Sequence, residues 1–402
     1  MRSFTLTVAA LAILGLTMLA SAGDWPKWLG PNGDGIGKEA GLADKWPDDG
    51  PKKLWSVAAG AGYSSPVVAA GKVYLFSTVD KKDTLTCLTE EGKELWSKSY
   101  AGGWNASYPG TRATPTIDGE FIYTYGGEGD LVCWKLADGL QLWNVNILKL
   151  TGAGGNITWG LASSPVISGD WVLVQGGKNG PMAVAVNKKD GTIAWQGPKG
   201  LASYAAVLPV EVAGAKQFVV CAGQSVVGLD TTGKQLWSEP WKTSWDVNAA
   251  TPIFRDGNLF VTSGYKHGCM MLKLADGKAE KLWEKADPHS RFVAPILDGE
   301  YLYVNSEGAL MCIHWPDGAA KWTSNEPNLG VGGSFCRVGD KLFAMTETGT
   351  LELIQATPEG CKLVSKVALF KGKDNWSMPV VSNGRLYVKG PAELICFDLK
   401  GQ

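Results

Sequence analysis

The chain has 402 residues, with 38 Lys plus Arg against 39 Asp plus Glu; a net charge of −1 offers nothing to a polyanion, so no nucleic-acid partner is expected. Gly reaches 52 and Trp 18, both well above ordinary usage, while 45% of residues are apolar. Such a chain buries a large core and is neither disordered nor collagen-like.

The N-terminus comes first. Arg2 is followed by an apolar stretch from Thr5 to Leu19, too short for a comfortable membrane span, and then by the small-x-small triplet Ala20-Ser21-Ala22. This pattern predicts a secretory signal peptide over residues 1–22 and an exported product, periplasmic or extracellular. No later apolar run approaches the length of a membrane span, so none is expected in the mature chain, which should be monomeric. Residues 23–50 read as a lead-in segment.

From residue 51 the sequence repeats. A turn followed by Trp closes at Trp96, Trp143, Trp195, Trp237, Trp283 and Trp322, at spacings of 47, 52, 42, 46 and 39 residues. A Pro in a short β-rich run falls at Pro66, Pro115, Pro165, Pro209, Pro252, Pro295 and Pro379, with Phe335 in the same place in a degenerate unit. That gives eight units. Within each, alternating β-branched and aromatic residues are separated by D-G or E-G turns, and no helical period competes. Four short strands every 40 to 50 residues define a propeller blade. The predicted fold is therefore all-β, a single eight-bladed β-propeller over residues 51–402.

Ring closure is also predicted. The last unit ends one strand short at Gln402, and the missing strand with its Leu-Trp stands at Lys53-Leu54-Trp55. The N-terminal strand should complete the last blade and cover its open edge. Trp55 and the six other turn-closing tryptophans are expected to pack against neighbouring blades as structural cement.

Eight cysteines in an exported chain invite a disulfide reading, yet Cys87, Cys133, Cys312 and Cys396 each precede a turn glycine by five or six residues. They are one repeat position seen four times, in different local cores, too far apart to be bridged. Free thiols are expected. There is no C-x-x-C and no C-x-x-C-H, nor a G-x-S-x-G, H-E-x-x-H or Walker pattern.

In a propeller the loop leading into each first strand, here called the inlet loop, lies on one face around the central channel, as does the loop between the second and third strands. Two inlet loops are long: residues 97–113, with Trp104, Asn105, Tyr108 and Arg112, and residues 144–163, with Asn156 and Trp159. The others bring Tyr63, Tyr204, Asp246, Asn248, His289, Arg291, Asn375 and Trp376. Binding residues concentrate in such loops. Arg112 and Arg291 beside Trp and Tyr rings could hold a planar anionic ligand; alternatively they bond loop carbonyls while the aromatics plug the channel. His267, His289 and His314 lie in different units without metal-ligand spacing, although His267 and His289 could be neighbours across the channel. No metal site and no catalytic residue is predicted.

The pattern GLDTTGKQLW at residues 228–237 resembles the repeat of the quinoprotein propeller family. More closely, DWPKWLGPNGDGIG (24–37), YPGTRATPT (108–116), ITWGLASSP (157–165) and VTSGYKHG (261–268) resemble secreted proteins with pyrroloquinoline-quinone-like repeats that abound in planctomycete-type bacteria. The resemblance covers the whole mature chain. It implies two functions on one fold: quinone-dependent alcohol dehydrogenases, which set an adjacent cysteine pair against the quinone and hold Ca²⁺ around an Asp base, and the BamB-like propeller of outer-membrane assembly, which has no catalytic role. This sequence has no adjacent cysteines. The favoured expectation is an exported, non-catalytic propeller that binds a protein, peptide or small ligand at its funnel face. The alternative is a pyrroloquinoline-quinone dehydrogenase, with Ca²⁺, oxidising an alcohol or sugar.

Overall fold

The computed structural model describes residues 23–275 and 277–400; the predicted signal peptide lies outside the described residues. Eight antiparallel four-stranded units follow one another along the chain, forming the eight blades of a β-propeller, one of which gains a fifth, parallel strand. Blade 1 runs Val67–Ala69, Lys72–Val79, Lys82–Thr89 and Glu94–Ala101, and blade 2 runs Thr116–Asp118, Phe121–Tyr125, Asp130–Lys135 and Gln141–Asn146. Blade 8 is made from both ends of the described chain: Lys52–Ala58 pairs antiparallel with Glu393–Asp398, outside Arg385–Lys389 and Val380–Ser382. No helix among the described residues is long and apolar enough to cross a membrane.

The core lies between blades. One cluster joins Tyr123, Cys133 and Trp143 of blade 2 to Val172, Val184 and Val186 of blade 3, and equivalent clusters recur around the ring. The repeat chemistry is read from the cross-strand register. Trp55, Trp96, Trp143 and Trp322 stand opposite Cys396, Cys87, Cys133 and Cys312, so the repeated thiol is the small residue beneath the repeated indole. All eight cysteines are free. Four of the repeat indoles hydrogen-bond the turn between the third and fourth strands of the next blade, while Trp96 only packs against its glycine, Gly139. Trp55 Nε1 donates to the Glu90 carbonyl at 2.7 Å, Trp143 to Lys188 at 3.1 Å, Trp283 to Pro316 at 2.9 Å and Trp322 to Thr357 at 2.8 Å.

The turn glycine follows from this contact. Gly92 has φ +82°, and a Cβ there would lie 2.6 Å from the Trp55 ring, so a side chain is excluded on both counts. Trp237 shares a core cluster with Leu259, Val261, Met270 and Leu272 of the next blade, but its hydrogen bond does not cross to that blade. Its Nε1 donates to Gln217 Oε1 at 3.1 Å within its own blade, because Gly228 stands opposite and leaves room for the ring to fold back.

Blade 7 lacks the tryptophan, and the register puts Ser365 at its place opposite Leu353. The missing ring comes from the lead-in. Trp46 is 3% exposed, donates its backbone N–H to Ser365 Oγ at 2.9 Å, and sets its ring 6.1 Å from Phe343. The repeat pairs Tyr74–Trp96 and Tyr303–Trp322 sit at 6.0 and 6.2 Å.

The rest of the lead-in closes the lower channel. Ile36–Gly37 pairs in parallel with the innermost strand of blade 7, Ser334–Val338, and Trp25 bridges to Val68 on the innermost strand of blade 1. Gly23 and Glu39 bond to Ser382, Asn383 and Gly384 of blade 8.

Candidate functional site

With the lead-in below, the channel opens on one face as a funnel with a cavity of about 270 Å³. Of the residues singled out from the sequence, Tyr63, Arg112, Trp159, Tyr204, Arg291 and Trp376 line it. Tyr108, also named from the long 97–113 loop, lines it too, and Trp28, Tyr265, Phe292, Glu347 and Asp374 join them. Trp28 rises from the lead-in, its Nε1 donating to Thr251 Oγ1 at 3.1 Å.

Trp376 is the hub of the aromatic wall. Its ring lies 4.7 Å from Tyr63, 4.8 Å from Phe292 and 5.3 Å from Tyr108. Its Nε1 donates to Glu347 Oε1 at 3.2 Å, while Glu347 Oε2 accepts from the Val331 N–H at 3.1 Å. Burial, and then the charge of Glu347, raises the Asp374 carboxyl above its ordinary range. Burial pushes the Tyr63 hydroxyl up to about 12. On the other side Trp159 meets Tyr204 at 6.1 Å and, at the rim, Trp245 at 6.4 Å.

The two arginines have different partners. Arg112 donates to the carbonyls of Gly110 and Ser107, at 3.0 and 3.1 Å, and to that of Tyr108, with its guanidinium 5.8 Å from the Tyr63 ring centre. Burial lowers its guanidinium to about 10. Arg291 instead pairs with Glu307, Nη2 to Oε1 at 2.5 Å, and covers the Tyr265 ring at 4.2 Å.

The remaining sequence candidates are placed outside the cavity wall. Trp104 is buried, packed over Gly127 and Gly160, with its Nε1 donating to Ser107. Asn248 is buried and saturated: Nδ2 donates to the Ala222 carbonyl at 2.6 Å and Oδ1 accepts from Ser263 Oγ at 2.8 Å. Asn375 is buried, holding the Glu347 carbonyl at 3.0 Å. Asp246 accepts from Gln224 at 3.3 Å. His289 sits between Asp287 at 2.8 Å and Glu307 at 3.4 Å, whereas His267 packs edge-on against Trp241 at 4.3 Å; the two imidazoles take separate partners.

The residues that sequence reasoning missed had a signal. Tyr265, Glu307 and Glu347 each lie in the loop between a blade's second and third strands, which shares the funnel face with the inlet loops.

These features define a repeat propeller with an aromatic funnel, and the chain belongs to the family described as outer membrane protein assembly factor BamB, which matches residues 81–324. BamB from Moraxella catarrhalis is 14% identical with a TM-score of 0.62, covering 87% of this chain and 98% of that one. Quinohemoprotein alcohol dehydrogenase from Comamonas testosteroni is 13% identical with a TM-score of 0.67, covering 94% and 81%. A europium-containing methanol dehydrogenase is 11% identical with a TM-score of 0.68, covering 93% and 91%. At these identities the likeness is one of fold. No curated protein matches the chain.

Pyrroloquinoline quinone, which the quinoprotein likeness implies, carries three carboxylates. The funnel does not fit it. Arg112 spends its donors on loop carbonyls, Arg291 is neutralised by Glu307, and Glu347 and Asp374 face the cavity with like charge. Among the described residues no three His, Cys, Asp or Glu side chains gather to hold a metal ion.

Proposed function

We propose that the chain is an exported binding propeller, without catalysis of its own, that receives a protein segment, peptide or small ligand in its funnel. The observation that carries this reading is the commitment of the polar wall. Arg112, Arg291 and Glu347 are each engaged by internal partners, which leaves ring faces and the Asp374 carboxylate as the free surface. Rigid aromatics with few polar groups are built for recognition. His289 stands outside the cavity wall, its Nδ1 2.8 Å from Asp287 and 3.4 Å from Ser306 Oγ and its Nε2 3.4 Å from Glu307, while Ser306 Oγ accepts the His289 backbone N–H at 3.0 Å. The membership in the BamB family supports the same reading, and an exported destination rests on the Arg2 to Ala22 pattern.

The test is capture from extracellular and periplasmic extract by the immobilised chain, alongside Ala249→Arg, which places a long cation at the cavity wall. Wild type should retain a component that Ala249→Arg loses. Equal retention by both would remove the funnel from the account.

A further inference from the structure

We propose that the funnel takes the end of a neutral oligosaccharide, with one sugar ring inside the cavity and the following rings stacked outward over Trp159 and Trp245. This rests on the funnel being a binding site and names the ligand class.

The first observation is Trp245. It is 70% exposed, the most exposed large apolar side chain among the described residues, and stands at φ +66° with Asp246 beside it at φ +55°. A non-glycine pair in the left-handed region is strained, and such strain gathers at ligand clamps. Neither face of this indole is buried in a core. It meets Trp159 edge-on at 6.4 Å, and Trp159 meets Tyr204 at 6.1 Å, so rings run in file from the rim to the cavity.

The second observation is charge. The lining carries Arg112 and Arg291 against Glu347 and Asp374, two charges of each sign. A cationic ligand would meet two guanidiniums, and an anionic one two carboxylates. A neutral ligand meets neither penalty. A sugar ring offers apolar C–H faces to indole and phenol rings, and hydroxyls along its edge to Asp374 and Ser164. Both groups line the cavity.

The third is size. At about 270 Å³ the cavity is just below the ~300–1,000 Å³ of small-ligand sites, so a longer chain must leave it along the aromatic file.

The experiment follows intrinsic tryptophan fluorescence and heat of binding on the purified full chain. The probes are β-1,4-glucose, β-1,4-xylose and β-1,4-mannose hexasaccharides, their monosaccharides, a proline hexapeptide, choline and citrate. At least one hexasaccharide should bind saturably, about tenfold more tightly than its monosaccharide. Trp245→Ala should weaken that hexasaccharide about tenfold, the worth of roughly one stacking contact, and Trp245→Phe should restore most of it. Thermal melting establishes that both variants remain folded. Absence of hexasaccharide binding, or binding indifferent to Trp245→Ala, overturns the proposal. If the peptide, choline or citrate binds instead and Trp376→Leu abolishes it, the ligand class falls while the funnel remains a site. If no probe binds and none responds to Trp376→Leu, the proposal falls together with its footing.

Discussion

Lys389 Nζ, fully buried in the last blade, donates to the Gly62 carbonyl at 2.5 Å in the loop that leads into the first. The same register position holds Gln175, Thr262 and Asn305 in other blades, and each bonds the next inlet loop in the same way. At the seam of the ring this latch is an amine, and burial pushes it down to about 7. Its unfolded counterpart titrates near 10.4. Between these values the unfolded chain binds the extra proton, so stability rises with pH from about 7 to 10 and is lost as pH falls back through 7. Lys389→Gln keeps a donor without the charge and should flatten this window, as urea midpoints against pH will show.

Glu352 works in the opposite direction. It is 7% exposed, with Oε2 lacking a hydrogen-bond partner, and burial raises it to about 7, partly offset by Lys366. The folded state therefore holds a proton that the unfolded state releases, and the stability present below about pH 4.3 is lost as pH rises through 7. Glu352→Gln should be more stable than wild type at pH 8, by about 1–3 kcal/mol, and equal to it at pH 4.

Trp46 should count as a propeller tryptophan although it lies outside every repeat. Trp46→Ala is expected to cost about 3 kcal/mol, the loss of a buried indole. Ser365→Trp, which restores the repeat residue in blade 7, should recover part of it. A double-mutant cycle in chemical denaturation measures the coupling; strict additivity would show that the two positions do not share one site.

The thiols are set by packing beneath the indoles. Burial raises Cys87 to about 11 and Cys133 to about 12, so neither reacts readily in the native state. Cys361, the least buried, should be the first to react. Denatured, unreduced protein should titrate with all eight thiols, and Cys87→Ala should cost about 1 kcal/mol, a one-atom cavity.

The ring was legible because its contact repeats. A tryptophan every 39 to 52 residues and a glycine beneath it are one interaction written many times, and Lys53-Leu54-Trp55 supplies the unit that the C-terminus lacks. Trp46 and Trp28 were not legible, since each acts on a blade hundreds of residues away and no period announces it. In the funnel, loop length pointed to Arg112 and Trp159, but whether an arginine faces a ligand or its own loop carbonyls is decided by backbone geometry. Asn248 misled for a related reason: a polar residue in an inlet loop can serve the loop itself.

The most direct test of a binding propeller against a quinone enzyme is to add pyrroloquinoline quinone and Ca²⁺ to the purified chain and follow bound-quinone absorbance and dye reduction with alcohols and sugars. Carboxylates at Glu347 and Asp374, and arginines already engaged, predict no spectral change at stoichiometric quinone and no dye reduction. A saturable quinone spectrum accompanied by substrate-dependent dye reduction would contradict the account.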